Sequence, residues 1–472
     1  MKLRAACVVA ALLSCLAAAG PAAAQTLRTI DTPSANVAAG ERFNGPAGVK
    51  HMRANVLLPD GYDGRKRFPV LYLLHGAGDW WGAWAQPKGD VQAITRGLPA
   101  IVVMPEAGTG FYSDWWNGGA RGKPRWETFY LDELIPQIER TFKVRPGRSW
   151  HAIAGLSMGG FGAMYLASQD PGYFGSAASF SGFIAHQQAE IPPALPLITG
   201  VRYEDIFGPV DGYYATGHNP QRLVGNLRST RLYVTVGSGL PAPGVQSTPT
   251  AVVAGGLAEL ELRKQADEFV AAARAVGARI TYRPLEGVHD WPYWRRHLRE
   301  GIAWGLFAQV PDPPPRWDYR TVAQHGNAWG LGYAFDKPPT RVIDFSSDGD
   351  TLRAAGGGTV TIRNAAECEF TAKLPFTRAV PAAICGRLRV KVAPRTLRLG
   401  RVARVRVRVS RVVGRHTLPV RRARVAVGGK VARTKASGLA VLRYRPRGVP
   451  GVIKLRVSVR GLGKTSVRLR VR

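Results

Sequence analysis

Trp150-His151-Ala152-Ile153-Ala154-Gly155-Leu156-Ser157-Met158-Gly159-Gly160-Phe161-Gly162-Ala163-Met164-Tyr165-Leu166-Ala167 decides how this 472-residue chain is read. A short apolar run meets a serine set between two glycines, Gly155-x-Ser157-x-Gly159, and a small-residue helical pattern follows. Glycines so placed fit a sharp turn in which backbones approach closely. This is the form of a nucleophile elbow. It predicts the Ser157 hydroxyl at the carboxyl end of a central strand and the Met158 N–H at the start of a helix, where developing negative charge is stabilised.

Outward from the elbow, Phe68-Pro69-Val70-Leu71-Tyr72-Leu73-Leu74 and Pro99-Ala100-Ile101-Val102-Val103-Met104-Pro105 are continuous apolar runs, as in strands buried on both faces of a parallel sheet. Met52 to Leu58, Ala177 to Ser181, Arg231 to Val236 and Arg279 to Pro284 read as further strands. Helical patterns fall at Trp126 to Phe142, Met158 to Ser168, Leu257 to Val276 and Tyr293 to Phe307. Strands alternating with helices predict an α/β domain with a mainly parallel sheet over residues 25–310. Pro311-Asp312-Pro313-Pro314-Pro315 then stops the last helix and stiffens a linker, 311–316. Residues 317–385, rich in Gly, Thr and aromatic residues, predict a small β-rich module. From 386 to 472 strict alternation appears, as in Val402-Ala403-Arg404-Val405-Arg406-Val407-Arg408-Val409. Val on one face and Arg on the other predict an Ig-like β-sandwich with a cationic skin.

A serine nucleophile needs a general base, and the base needs an acid that fixes its tautomer. His289 follows the strand Arg279 to Pro284 and opens His289-Asp290-Trp291-Pro292-Tyr293-Trp294 just before a helix, from which it can reach the elbow. His297, inside that helix, reads as structural. The acid belongs after the strand Arg231 to Val236, where Gly237-Ser238-Gly239 carries none. On the next helix the apolar stripe Leu262, Ala266, Phe269 and Ala273 extends backwards to Glu259, whereas Glu261 falls on the wet face. A carboxylate on a buried face needs a partner, so Glu259 is the choice, with another acid left as the alternative. The oxyanion donors expected are the N–H groups of Met158 and of Ala77, in His75-Gly76-Ala77-Gly78; His75 is expected to touch substrate.

The net charge of +33 is unevenly spread. From 386 to 472 there are 27 of the 65 Lys and Arg and no Asp or Glu, leaving 38 basic against 32 acidic residues elsewhere. The last module is therefore expected to bind anionic cell-envelope polymers; nucleic acid is not an expected partner, since the chain carries no recognition motif. Lys2 and Arg4, an apolar run to about Ala19 and Ala22-Ala23-Ala24 predict a signal peptide over residues 1–24, cleaved before Gln25, with lipidation at Cys15 as an alternative. No later stretch is long enough for a transmembrane span, so a secreted protein is expected. Cys368 and Cys385 remain in the exported chain and are expected to form a disulfide. No metal cluster, phosphate loop or dinucleotide fingerprint is seen, and no cofactor is expected.

Phe111-Tyr112-Ser113-Asp114-Trp115, Trp126-Glu127-Thr128-Phe129, Gly155-Leu156-Ser157-Met158, Phe180-Ser181-Gly182-Phe183, Asp205-Ile206-Phe207-Gly208-Pro209 and His289-Asp290-Trp291-Pro292-Tyr293-Trp294 come in an order that resembles the esterase family that includes the antigen 85 mycolyltransferases. The resemblance covers about residues 45–308. It implies an α/β-hydrolase fold, an acyl-serine intermediate on Ser157, His289 as base, Ala77 and Met158 as oxyanion donors, and Trp291 near the acyl chain or acceptor. The family's acid stands ten residues before a helix phenylalanine, as Glu259 stands before Phe269. Where the mycolyltransferases carry an aspartate and an arginine used on trehalose, this chain has His75 and Gly78, so transfer to trehalose is not implied. The function expected is that of a serine esterase or acyltransferase acting on an envelope ester; a non-catalytic envelope-binding protein on a degenerate hydrolase scaffold is the alternative.

Overall fold

Every residue of Val70–Leu74 and Ile101–Pro105 is buried, because both faces of the sheet they join are covered. A computed structural model of the chain describes residues 24–37, 52–118, 124–311, 314, 316–364, 369–379, 387–413, 416–459 and 463–472. The first domain is built on eight strands: β1 Thr26–Thr32, β2 Met52–Leu58, β3 Val70–Leu74, β4 Ile101–Pro105, β5 His151–Leu156, β6 Ser176–Phe180, β7 Arg231–Val236 and β8 Arg279–Pro284. Their spatial order is β1-β2-β4-β3-β5-β6-β7-β8. β1 and β2 run antiparallel to each other, β2 runs antiparallel to β4, and the other neighbours are parallel. That order, with the second strand reversed, is the α/β-hydrolase arrangement.

Alternate residues of one strand feed two cores. Val70, Tyr72 and Leu74 share a core with the elbow helix Met158–Gln169 and the long helix Pro249–Ala275, while Leu71 and Leu73 share one with Trp84 and the helix Trp291–Trp304. Each leucine so buried stabilises the fold by about 1.5–3 kcal/mol. The loops at the carboxyl ends of β3, β5, β7 and β8 are thereby held on one rim.

Three regions differ from expectation. The long helix begins at Pro249, capped by the Thr248 hydroxyl, and continues through Gly255-Gly256, where the sequence suggested a start at Leu257. Those glycines are packing residues: the His289 N–H donates to the Gly255 carbonyl at 3.2 Å, and a Cβ on Gly256 would press on the Gly239 carbonyl. The stretch from Trp126 widens into a π-turn over Phe129–Leu134 before Ile135–Thr141. Pro136, which has no N–H for the carbonyl four residues back, stands just after that widening. Residues 182–230, in which no element was expected, hold short helices at Ile191–Thr199, Tyr203–Phe207 and Tyr213–His218.

Beyond Trp304 the described elements are all strands. In the middle module one antiparallel sheet joins His325–Ala328, Leu331–Phe335, Thr359–Asn364 and Glu369–Lys373, and another joins Phe376–Ala379, Thr351–Ala355, Ile343–Ser347 and Trp317–Thr321. Tyr319, Tyr333, Phe345 and Ile362 fill the space between. The module is fastened to the first domain. Asn226 exchanges two hydrogen bonds with the Arg320 backbone, at 2.7 and 2.8 Å, and the Tyr319 hydroxyl donates to the Gln169 carbonyl. Buried Arg148 donates to the carbonyls of Pro171, Phe174, Ser229 and Pro311. In the last module a four-stranded and a five-stranded sheet share a core of Val405, Val407, Val409, Leu442, Leu455 and Leu469.

Among the described residues no helix is long and apolar enough to cross a membrane. All of the expected signal peptide 1–24 except Ala24, and both Cys368 and Cys385, lie outside the described residues, as do 312, 313 and 315 of the linker.

Candidate active site

The elbow forms because only glycine fits on either side of it. A Cβ on Gly155 would run into the Gly159 carbonyl, and one on Gly159 into the carbonyl oxygens of Leu74 and His75. Ser157, between β5 and its helix, is held at φ 52° and ψ −120°, a left-handed conformation that a residue with a side chain rarely adopts. Its N–H donates to the Phe180 carbonyl at 2.9 Å, tying the turn to β6.

His289 reaches this serine from the loop after β8, with Nε2 2.9 Å from Ser157 Oγ. Its Nδ1 lies 2.8 Å from Glu259 Oε1. A carboxylate only accepts, so Nδ1 carries the proton and the Nε2 lone pair faces the serine hydroxyl. Trp294 sets its edge against the imidazole at 4.9 Å between ring centres.

Glu259 is completely buried, on the inner face of the long helix. Its Oε2 accepts the Gly237 N–H at 2.5 Å. Burial pushes the carboxyl up, but its hydrogen bond to His289 and the ring's charge outweigh this and hold it below the ordinary glutamate value. The segment after β7 thus supplies a backbone donor, and the helix supplies the acid. His297, near the same carboxylate, is buried, and burial lowers its pKa to about 4, so it stays neutral.

The loop after β3 lies against the elbow: a Cβ on Gly76 would stand 3.3 Å from the Ser157 Cβ. Among the described residues neither the Ala77 nor the Met158 N–H donates a hydrogen bond, which leaves both for an incoming oxygen. His75, expected to touch substrate, is instead only 1 % exposed and stands behind this loop. Its Nε2 accepts the Ala107 N–H at 3.1 Å, so its Nδ1–H donates to the Gly76 carbonyl, 2.9 Å away. In a trans peptide N–H and C=O point oppositely, so fixing the Gly76 carbonyl also aims the Ala77 N–H.

Glu106, unmarked in the sequence reading, backs His75. Its Oε1 accepts the N–H groups of Ala107 and Gly108 at 3.0 and 2.6 Å, and Oε2 that of Trp81 at 3.3 Å. An acid directly after the buried run Ile101–Pro105 was the available signal. Half-buried Trp291 packs edge-on against Trp84, and the Lys88 ammonium lies 5.0 Å above its ring.

A cavity of about 690 Å³ lies elsewhere, between the first domain and the middle module, lined by Asp114, Glu127, Gln169, His218, Tyr319 and His325. Gln169 ends the 12-residue elbow helix, roughly 16 Å from its start.

The Esterase family profile matches residues 48–304. Over 196 residues the chain is 34% identical to esterase Rv1288 of Mycobacterium tuberculosis (strain ATCC 25618 / H37Rv), covering 39% of this chain and 42% of that one. Over 241 residues it is 33% identical to the diacylglycerol acyltransferase/mycolyltransferase Ag85A of Mycobacterium gordonae, covering 48% and 69%. The chain thus spans less than half the length of Rv1288. Among solved structures, Mycobacterium tuberculosis MPT51 (FbpC1) is 22% identical, with a TM-score of 0.48 over 60% of this chain and 98% of that one. The profile match contains Ser157, Glu259 and His289 and ends on the last residue of the helix after His289: the chain belongs to the esterase family.

Proposed function

We propose that the chain is a secreted serine esterase or acyltransferase that works through an acyl-enzyme on Ser157. The observation that carries this reading is the unbroken run of contacts from Ser157 Oγ through the His289 ring to Glu259, at 2.9 and 2.8 Å. As Oγ attacks the ester carbonyl its proton passes to His289 Nε2, and the oxyanion takes the N–H groups of Ala77 and Met158. Glu259 accepts from Nδ1–H and stabilises the imidazolium. The Nε2 proton then leaves with the departing alcohol, and water or a hydroxyl acceptor reverses the sequence on the acyl-serine.

The Ag85A relative carries acyltransferase in its name, and transfer would use the same residues as hydrolysis. A lipid or sugar ester of the cell envelope is the proposed substrate class, with Trp291 beside the acyl chain or acceptor. His75, buried, and Gly78 give no charged pair for trehalose. Secretion rests on the N-terminal sequence, and N-terminal sequencing of the exported protein should begin at Gln25. The last module is read as an Ig-like sandwich that holds anionic envelope polymers through its Arg and Lys.

A fluorophosphonate probe tests the catalytic reading. Wild type should be labelled and Ser157→Ala should not. An unreactive wild type would favour the other reading, a binding protein on a hydrolase scaffold.

A further inference from the structure

Strand alternation in the last module puts Val and Leu inside and leaves two outer faces. On the four-stranded sheet Arg389, Lys391, Arg404, Arg406, Arg408 and Arg443 are exposed; on the five-stranded sheet Arg424, Arg433, Lys454, Arg456, Lys464 and Arg468 are. Register sets like charges directly opposite one another: Lys391 faces Arg408, Arg404 faces Arg443, Arg424 faces Arg433 and Lys454 faces Arg468. Such pairs oppose folding, each by about 0.2–1 kcal/mol. No Asp or Glu occurs from 386 to 472 to relieve them, and no described ion pair reaches these side chains.

The layout also selects the partner. Along a strand the cations recur about every 6.8 Å, and neighbouring strands lie about 4.8 Å apart. Rows on an open face suit a linear chain with an anion on each repeat. Tyr444 is the only Phe, Trp or Tyr from 386 to 472, and it packs against the core, so neither face offers a platform on which bases stack.

We propose that the last module is a two-sided clamp: each outer face holds one linear polyanion, so that a single protein molecule bridges two polymer chains. This rests on the anionic-polymer reading above and adds the second face. The repulsion in the free module is relieved on binding, so the polymer also stabilises it.

Full-length protein titrated with long-chain polyphosphate at low ionic strength tests this by light scattering, with retention on immobilised polyphosphate read in parallel. Scattering should rise as chains are bridged and fall again in excess polymer, while tripolyphosphate should bind without scattering. Retention should weaken about 10³-fold between about 50 and about 200 mM salt if six charges engage. Arg404→Ser/Arg406→Ser/Arg408→Ser and Lys454→Ser/Arg456→Ser/Arg468→Ser should each still be retained yet lose scattering, with the melting of the last module unchanged or raised. If either triple variant scatters like wild type, or if one abolishes retention, the clamp is wrong and one face does the binding. If wild type is not retained at all, the polymer reading itself falls. Tighter retention on single-stranded DNA of equal charge would replace the proposed partner with nucleic acid. Turnover of a neutral nitrophenyl ester should be the same in all three proteins.

Discussion

The first domain and the last module use charge in opposite ways. In the first, a few charged groups are buried and individually fixed: Glu259 between His289 and Gly237, and Glu106 behind His75. In the last, the charged side chains lie outside and are all of one sign, and no carboxylate side chain occurs from 386 to 472 to pair with them. Properties of the first should therefore hinge on single atoms, and those of the second on sums. Substitutions should separate the two regimes.

The largest effect is expected at Glu259→Gln, which keeps the shape and loses the charge. Turnover of a nitrophenyl ester should fall by about 10⁴-fold with the fold retained. A loss of less than about tenfold would mean that another carboxylate serves and that this site, too, works by summed charge.

His75→Ala comes next. It takes one donor from the Gly76 carbonyl, while the Ala107 N–H keeps Glu106 Oε1, so kcat should drop by about 10²-fold with KM little changed, and stability by about 0.5–1.5 kcal/mol for the lost hydrogen bond. Equal losses in kcat and in binding of a ground-state ester analogue would point to a general loosening instead.

A smaller effect is read by pH. Burial, and then the charge of Asp114, push the Glu127 carboxyl from 4.5 up to about 8. Folded Glu127 therefore keeps its proton where the unfolded chain has lost it, and its contribution to stability declines as pH rises from about 4.5 to about 8. Asp170, raised by burial to about 7, acts in the same direction. Buried His186 and His218, lowered to about 3 and about 4, act oppositely below 6.5; above it His75, which burial lowers but Glu106 raises by more, acts in the same direction as the acids, so the Glu127→Gln comparison is what isolates Glu127. Calorimetry should show the first domain melting lower at pH 8 than at pH 6.5, with Glu127→Gln reducing the shift. The last module, without a carboxylate side chain, should not move.

The smallest effect belongs to Arg404→Ser, which removes one in-register repulsion. The last module should gain about 0.2–1 kcal/mol at low salt, and the gain should shrink as salt is added. Ester turnover should be unaffected.

The layout of the first domain was legible because its strands are apolar without alternation and its elbow glycines have no other use. Ser157 could be placed from its flanking glycines and His289 from the strand it follows, since both follow strands whose carboxyl ends share a rim. Glu259 required helix phase, which survived although the helix itself starts eight residues earlier than expected. What hid that start, Gly255-Gly256, looks like a break in one dimension and is a close approach to the His289 loop in three. His75 departs from expectation for a related reason: adjacency to the glycine loop does not say which way a ring turns. Glu106 went unseen because its partners are backbone groups, which leave no trace in residue type. The short helices of 182–230 carry too few turns for periodicity to register.

Arg148 bears on how this chain can be taken apart. Its guanidinium gathers carbonyls from segments as distant as Pro171 and Pro311, and Asn226 grips Arg320 a few residues farther on. A truncation that stops at Val310 would take the Pro311 carbonyl from Arg148, the Arg320 backbone from Asn226 and the Tyr319 hydroxyl from the Gln169 carbonyl, so the smallest well-folded fragment should extend through the middle module.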